Sequence, residues 1–275
     1  MRAFSAVVLG AFLGSCAPPP SLLDQIRSSG ELRIITENSP TTFYYGAEER
    51  FGIEYELASA FADRLGVRLS LRTADEFWQL FPAVGTERAH IAAAGIIVTD
   101  PRRDIVDFGP GYQNVSAQLI YRMGQTRPRN LADVVGGQIE VEAATSHVGM
   151  LNQAARDVPE LSWTENRNAN AESLMRRVAA GDIDYAVVNS NEYKLLRHYY
   201  PEVRVAFTLD TGAELAWALP KGADDLREAV SAFFAEIEAT GELQRILDRY
   251  YYAARDFDFV GSRAFVRHLN ERLPQ

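Results

Sequence analysis

The sequence predicts an α/β protein of two lobes, each an open, mostly parallel sheet with helices on both faces. Three observations predict it. Strand-like and helix-like hydrophobic periods alternate from Leu32 onward. The alternation restarts near Gln138, which gives two similar units in tandem. A last strand-like segment, Glu214 to Leu219 (ELAWAL), follows the second unit and reads as a return to the first, which makes the first lobe discontinuous.

The first unit opens with Leu32 to Thr36 (LRIIT), a short apolar strand. In Ile53 to Leu65, the residues Ile53, Leu57, Phe61 and Leu65 recur four apart on one helical face, and Gly66 ends the helix. Val67, Leu69 and Leu71 alternate strictly within Val67 to Arg72, as in a strand. Phe77, Leu80, Phe81 and Val84 repeat the helical spacing, and His90 to Val98 is a buried strand running into a turn. Ala117 to Arg122 (AQLIYR) reads as an extended crossing between lobes. The second unit predicts strands at Gln138 to Glu142, Leu161 to Thr164 and Ile183 to Val188, with helices at Ser146 to Asp157 and Ala171 to Ala180. Asp224 to Tyr250 is a long helical stretch with Gly241 inside it. Such units bind ligands at the carboxyl ends of their strands, and two facing lobes make a cleft that closes about a hinge.

The chain has 275 residues, a net charge of −9, and 47% hydrophobic and 24% charged residues, the composition of a soluble globular protein. Without residues 1–15, which hold one cation (Arg2) and no acid, the charge is −10. No basic patch is available to neutralise phosphates, so nucleic acid is not an expected partner. Cys16 is the single cysteine, which excludes an internal disulfide. Arg2 precedes an apolar run from Ala3 to Leu13, too short to span a bilayer, so residues 1–15 read as a secretory signal peptide. The Leu13-Gly14-Ser15-Cys16 ending resembles the lipobox of bacterial lipoproteins, which implies cleavage before Cys16 and its lipidation. The alternative is an ordinary signal peptide with a chance cysteine. Ala17 to Pro20 (APPP) would then be an extended spacer. The expected localisation is the periplasm, on a membrane, with the outer membrane favoured because Ala17 is not the aspartate of inner-membrane retention.

From Glu31 to Tyr251 the sequence resembles the family 3 periplasmic solute-binding proteins, which deliver polar amino acids to ABC transporters. The resemblance rests on LRIITENSPTTF, FGIEYELASAFADRLGV, FWQLFPAVGTERAHIAAAGIIVTDPRRDIVDFGPGY, AAGDIDYAVVNSNEY and GELQRILDRYY. It implies the type II periplasmic-binding-protein fold. Within that group the chain is similar to the amino-terminal regulatory domain of the membrane-bound lytic murein transglycosylase F proteins, through AAAGIIVTDPRRDIVDFGPGYQNVSAQLIYR, RPRNL and the tail RDFDFVGSRAFVRHLNERLP. In those proteins such a tail leads into a peptidoglycan-cleaving domain, whose place would begin where this sequence ends, at Gln275. The expected organisation is a leader (1–15), a lipidated cysteine and spacer (16–30), lobe 1 (31–121 plus 214–251), lobe 2 (122–213) and an extension (252–275).

The site residues follow from the resemblance. It implies that Arg102, reached through Thr99-Asp100-Pro101, grips a ligand carboxylate; a planar guanidinium pairs both carboxylate oxygens in one geometry. From spacing alone, a surface arginine in a polar turn is an equal reading, and Arg103 is one such residue. Thr145 and Ser146 stand at a helix start, where free N–H groups suit an anion and where the same residue types also serve as simple caps. The family's carboxylate partner for an α-ammonium maps onto Asn189, which brings no charge. The family's serines are replaced by Ala94, Gly95 and Ile97, with Gly95 and Thr99 kept as ligand-facing candidates. Phe43, Tyr44 and Phe77 are candidate apolar walls, or ordinary core aromatics. These departures favour a larger carboxylate-bearing ligand, a peptide or muropeptide, over a free amino acid.

His90, His147, His198 and His268 lie far apart, so no metal or other cofactor is expected, and no nucleophile motif stands out. The expectation is a non-catalytic, membrane-anchored binding module that regulates murein turnover. The alternatives are the front part of a truncated lytic transglycosylase and the binding component of an amino-acid ABC transporter. The expected partners are a small ligand, the membrane through the lipid, and a transglycosylase or permease.

Overall fold

The computed structural model describes residues 19–46, 50–86, 88–210 and 212–252. The leader, Cys16 and nearly all of the 252–275 extension lie outside the described residues. In chain order, α1 (Leu22–Ser29) leads into β1 (Glu31–Glu37), the ribbon of β2 (Tyr44–Tyr45) and β3 (Arg50–Phe51), and α2 (Ile53–Leu65). Then come β4 (Arg68–Ala74), α3 (Leu80–Ala83), β5 (Ile91–Ile97), α4 (Asp100–Arg103), β6 (Asp107–Phe108) and β7 (Gln113–Val115). The second unit holds β8 (Ala117–Arg122), β9 (Ile139–Glu142), α5 (Ser146–Ala154), β10 (Thr164–Asn166), α6 (Ala171–Ala180), β11 (Tyr185–Asn189), α7 (Ser190–Leu196) and β12 (Val203–Thr208). The chain returns through β13 (Ala213–Leu219) and ends in α8 (Asp224–Ala239) and α9 (Glu242–Tyr251).

The two sheets share one plan. The first runs β4-β1-β5-β13-β6, with β7 also on β13; the second runs β10-β9-β11-β8-β12. Each has three parallel strands with its first strand in the middle, flanked by an antiparallel strand, β13 in one and β8 in the other. The strand-by-strand alternation sorts side chains to two faces. Leu215, Trp217 and Leu219 face one core with Phe61, Phe233 and Phe234, while Ala216 and Ala218 face another with Phe77 and Leu80. Helices therefore cover both faces.

Two expectations are corrected. Residues 16–30 are not all spacer: Ser21 caps α1, Leu23 and Ile26 are buried, and the Leu23 amide donates to Asp225 at 2.9 Å. The apolar face of that turn has a core to join, which a tether would lack. Ala117 to Arg122, expected as the crossing between lobes with lobe 1 running to 121, is β8, an inner strand of the second sheet, apolar because both its faces are covered. The crossing is at Ser116, whose carbonyl accepts from the Ser190 amide at 2.8 Å and whose amide donates to Ser190 Oγ at 3.1 Å. Smaller shifts occur in the second unit. The helix from Ser146 stops at Ala154, ahead of Pro159, and the strand expected at Leu161 to Thr164 pairs as Thr164–Asn166. The long C-terminal stretch is two helices divided at Gly241.

Candidate functional site

The carboxyl ends of β1, β5, β9 and β11 converge from both lobes, each next to the point where its parallel strand order reverses. Glu37 ends β1, and its carbonyl accepts from Thr42 Oγ1 at 2.6 Å, which folds the following loop back on the strand. The loop passes against Gly52, where a Cβ would stand 2.1 Å from the Thr42 carbonyl oxygen and where φ is +127°, so the position suits glycine alone.

Arg102 sits on α4 after β5. The Thr99 carbonyl accepts from the amides of Arg102 and Arg103 at 3.1 and 3.0 Å. That turn sends Arg102 inward, 8% exposed, and leaves Arg103 outside. The guanidinium packs on the edge-to-face pair of Phe77 and Phe81, 5.0 and 5.1 Å from their centroids. Nη1 donates to the Ile97 carbonyl at 2.7 Å, and Nη2 reaches across the cleft to the Ala144 carbonyl at 3.2 Å. Ala144 holds φ at +63°, a costly conformation for alanine, in the loop between β9 and α5.

Two carboxylates act on this arginine, Glu37 of lobe 1 and Glu142 at the end of β9 in lobe 2, and Glu192 in the first turn of α7 acts on both of them. Burial pushes Glu37 up to about 8, and the Glu192 charge adds to the rise. Glu142 is raised well above the usual carboxylate range by burial and by both neighbours. Burial also lifts Glu192 to about 7, against hydrogen bonds from Asn189, whose amide donates to Oε2 at 2.8 Å. Arg102 falls to about 10 through burial, while Glu37 and Glu142 favour its charge.

The structure brings Arg102, Thr99, Phe77, Thr145, Ser146 and Asn189 to this junction. Thr145 donates its hydroxyl to the Glu142 carbonyl at 2.8 Å instead of capping α5. Asn189 Oδ1 lies 3.0 Å from His147 Nε2; burial lowers the His147 pKa, so Nε2 is the donor of a neutral ring. Gly95 and Phe43 face other neighbours. The Gly95 amide, at φ +59°, donates to Glu54 at 2.6 Å in the lobe 1 core. Phe43, 1% exposed, packs on Tyr45 and Tyr55 with centroids 4.9 and 5.8 Å apart. Tyr44 stacks on Phe51.

Sequence reasoning missed Glu37, Glu142, Glu192, His147, Phe81 and Glu54. A signal for the first two was present: each is an acid closing an apolar strand, LRIITE and IEVE, at the end where ligands bind. Among the described residues, no group of three or more His, Cys, Asp or Glu is arranged to hold a metal ion. Two surface hollows, of about 350 and 410 Å³, lie away from Arg102, one beside Gln113, Lys194 and Tyr251 and the other between α2 and α9.

The arrangement offers one buried guanidinium and several carboxyls in a cleft between lobes, which suits recognition of a small charged molecule. The chain is 37% identical over 98% of its length to the membrane-bound lytic murein transglycosylase F of Pseudomonas fluorescens, and 39% identical over 94% to that of Ectopseudomonas mendocina. It covers 56% and 53% of those two proteins, so it spans about half the length of the curated relatives it matches. An amino acid ABC transporter substrate-binding protein from Streptococcus pneumoniae, solved bound to L-arginine, has the same fold, with a TM-score of 0.75, 22% identity, and coverage of 84% of this chain and 98% of that one. The profile of one family matches residues 32–253, most of the described chain. The chain belongs to the bacterial extracellular solute-binding proteins, family 3.

Proposed function

We propose that this protein is a lipid-anchored periplasmic module that closes its lobes on a small carboxylate-bearing ligand, an amino acid, peptide or muropeptide, and so regulates peptidoglycan turnover. Arg102 would hold the carboxylate. One observation carries the reading: a buried guanidinium, packed on the Phe77–Phe81 pair, extends one nitrogen from lobe 1 to a lobe 2 carbonyl. A carboxylate is a stronger acceptor than a carbonyl, and one seated between the lobes would replace a bond to a neutral acceptor with an ion pair. The murein transglycosylase relatives support the cell-wall role, and the lipobox-like Leu13 to Cys16 supports the anchor. The arginine-bound structural relative favours a second reading, delivery of an amino acid to a permease.

Thermal unfolding against a panel of amino acids and muropeptides tests both. A ligand at ~100 times its dissociation constant adds about 2.7 kcal/mol, which raises the midpoint of a protein this size by roughly 5–10 °C. The Arg102→Ala variant should lose that shift. Its own midpoint falls as well, because the side chain packs on two rings, so the shift is read against the variant alone. A shift with muropeptides supports the cell-wall reading, and one with free amino acids supports transport. The absence of any shift, or a shift that persists in Arg102→Ala, overturns the assignment of the site.

A further inference from the structure

We propose that the rim of the cleft beside Trp78 is a saccharide subsite, so that the ligand taken is a muropeptide still carrying its sugar, with the peptide carboxylate on Arg102 and a pyranose on the indole. The inference deepens the proposed binding role and rests on it. It starts from where the two sheets end. β4 and β10 are the outermost strands of their sheets, and each runs parallel to its neighbour, β1 or β9. Their carboxyl ends therefore open on the same cleft, one strand further out than Glu37 and Glu142. The turn Phe77–Gln79 follows β4, and Arg167 follows β10. The two ends meet across the cleft: Arg167 Nη1 lies 3.9 Å from Glu76 Oε2, and Asn170 Nδ2 donates to the Asn38 carbonyl at 3.3 Å. Phe77 is 7% exposed, with its centroid 5.0 Å from the Arg102 guanidinium, while the next residue, Trp78, is 46% exposed. A ligand longer than an amino acid, held at Arg102 and extended toward this flank, meets Trp78.

A single exposed apolar side chain is ordinary on a protein surface. Trp78 differs in being held in place. Its Nε1 donates to Glu76 Oε2 at 2.8 Å, and Glu76 in turn faces Arg167 of lobe 2. The Glu76 carbonyl accepts from the Gln79 amide at 3.0 Å, and Gln79 Oε1 accepts from the Asp75 amide at 3.1 Å, which fixes the turn that carries the ring. The rim thus sets a flat indole, a carboxylate and a guanidinium side by side, contributed by both lobes. That set matches a pyranose. The C–H face of the sugar packs on an aromatic face, and its hydroxyls, each a donor and an acceptor, suit a carboxylate and a guanidinium. At 3.9 Å the Arg167–Glu76 contact is longer than a hydrogen bond, so a hydroxyl seated beside the pair would give each group a closer partner. An apolar peptide side chain would use the indole alone and leave the charged pair without a role, which is why the rim fits a saccharide better.

Isothermal titration of the unaltered chain with a disaccharide-peptide from peptidoglycan, and with the same peptide freed of its sugars, tests the subsite. The sugar-bearing ligand should bind about tenfold more tightly, the order expected of one aromatic platform and its neighbouring hydrogen bonds. Trp78→Ala should remove most of that preference and leave the affinity for the bare peptide nearly unchanged. Trp78 is half exposed, so the fold loses little with it, and far-UV circular dichroism of the variant checks this. Arg167→Ala, with its side chain 74% exposed, should remove part of the preference in the same way. Equal affinities for the two ligands in the unaltered chain overturn the subsite, and so does a Trp78→Ala variant that weakens both alike. In either case binding that is lost in Arg102→Ala leaves the cleft reading standing. Failure of both ligands to bind the unaltered chain overturns the two together.

Discussion

Arg102 shows how one side chain is made into a site. Its position after Thr99-Asp100-Pro101 gives a short turn, the turn gives direction, and the Phe77–Phe81 pair gives the guanidinium an aromatic surface to pack on. Lysine could not fill that slot, since it has no flat face to stack and no fork to span two lobes. Asn189 is the complementary case. Its amide serves Glu192 and its side chain serves His147, so the residue already has structural partners where the resemblance implies an aspartate. Asn189→Asp would set a charge 3.0 Å from His147 Nε2 and raise the pKa of that ring, visible in an NMR titration of the imidazole. It should also raise affinity for free amino acids if the missing charge is what weakens it. A titrating His147 with unchanged affinity would show that the departure does not set ligand choice. The acids around Arg102 were not legible in the sequence, because an isolated glutamate is by default a solvated one. Only the meeting of two strand ends 105 positions apart, Glu37 and Glu142, makes them a cluster.

At the scale of elements, most of the fold could be read from periodicity. The spans of α2 and α6 follow directly from their apolar spacing and their glycine stops, Gly66 and Gly181. Which sheet β8 joins could not be read, because an apolar extended segment carries no record of its partners. Nor could Glu54, which sits beside Ile53 at the start of α2 with no sequence sign of burial. It is 1% exposed and accepts from Tyr112 Oη at 2.6 Å, the Gly95 amide at 2.6 Å and Trp217 Nε1 at 2.7 Å. One carboxyl thus joins α2, β5, β13 and the segment before β7. Burial raises its pKa and the three donors pull it back. Glu54→Ala would strand three buried donors, and urea unfolding should show a loss of about 3–5 kcal/mol. Glu54→Gln keeps an acceptor and should lose less. A loss below about 1 kcal/mol in the alanine variant would mean that water reaches these donors and the carboxyl is not the joint.

The two large sheets each pack a face on one shared hydrophobic cluster. The cluster that contains Trp217 and Phe233 in lobe 1 extends through Leu247 and Tyr251 of α9 to Leu195, Leu196 and Met175 in lobe 2. Tyr251 is the meeting point. Its hydroxyl pairs with the Gln113 side chain, with Nε2 donating at 3.0 Å, and Lys194 of α7 lies 4.9 Å from its ring and 4.1 Å from that of Tyr252. Unfolding one lobe would expose the apolar surface of the other along this seam. The molecule should therefore unfold in one transition, even if its lobes open and close on the proposed ligand. An opening about Ser116 would leave α7 and α9, which share one cluster, joined. Calorimetry should give equal calorimetric and van't Hoff enthalpies, on the order of 150 kcal/mol near 60 °C for a protein of this size. Tyr251→Ala removes the shared ring and should broaden the transition or divide it. A van't Hoff enthalpy near half the calorimetric value in the unaltered chain would mean that the lobes melt independently, and that the seam through α9 transmits nothing between them.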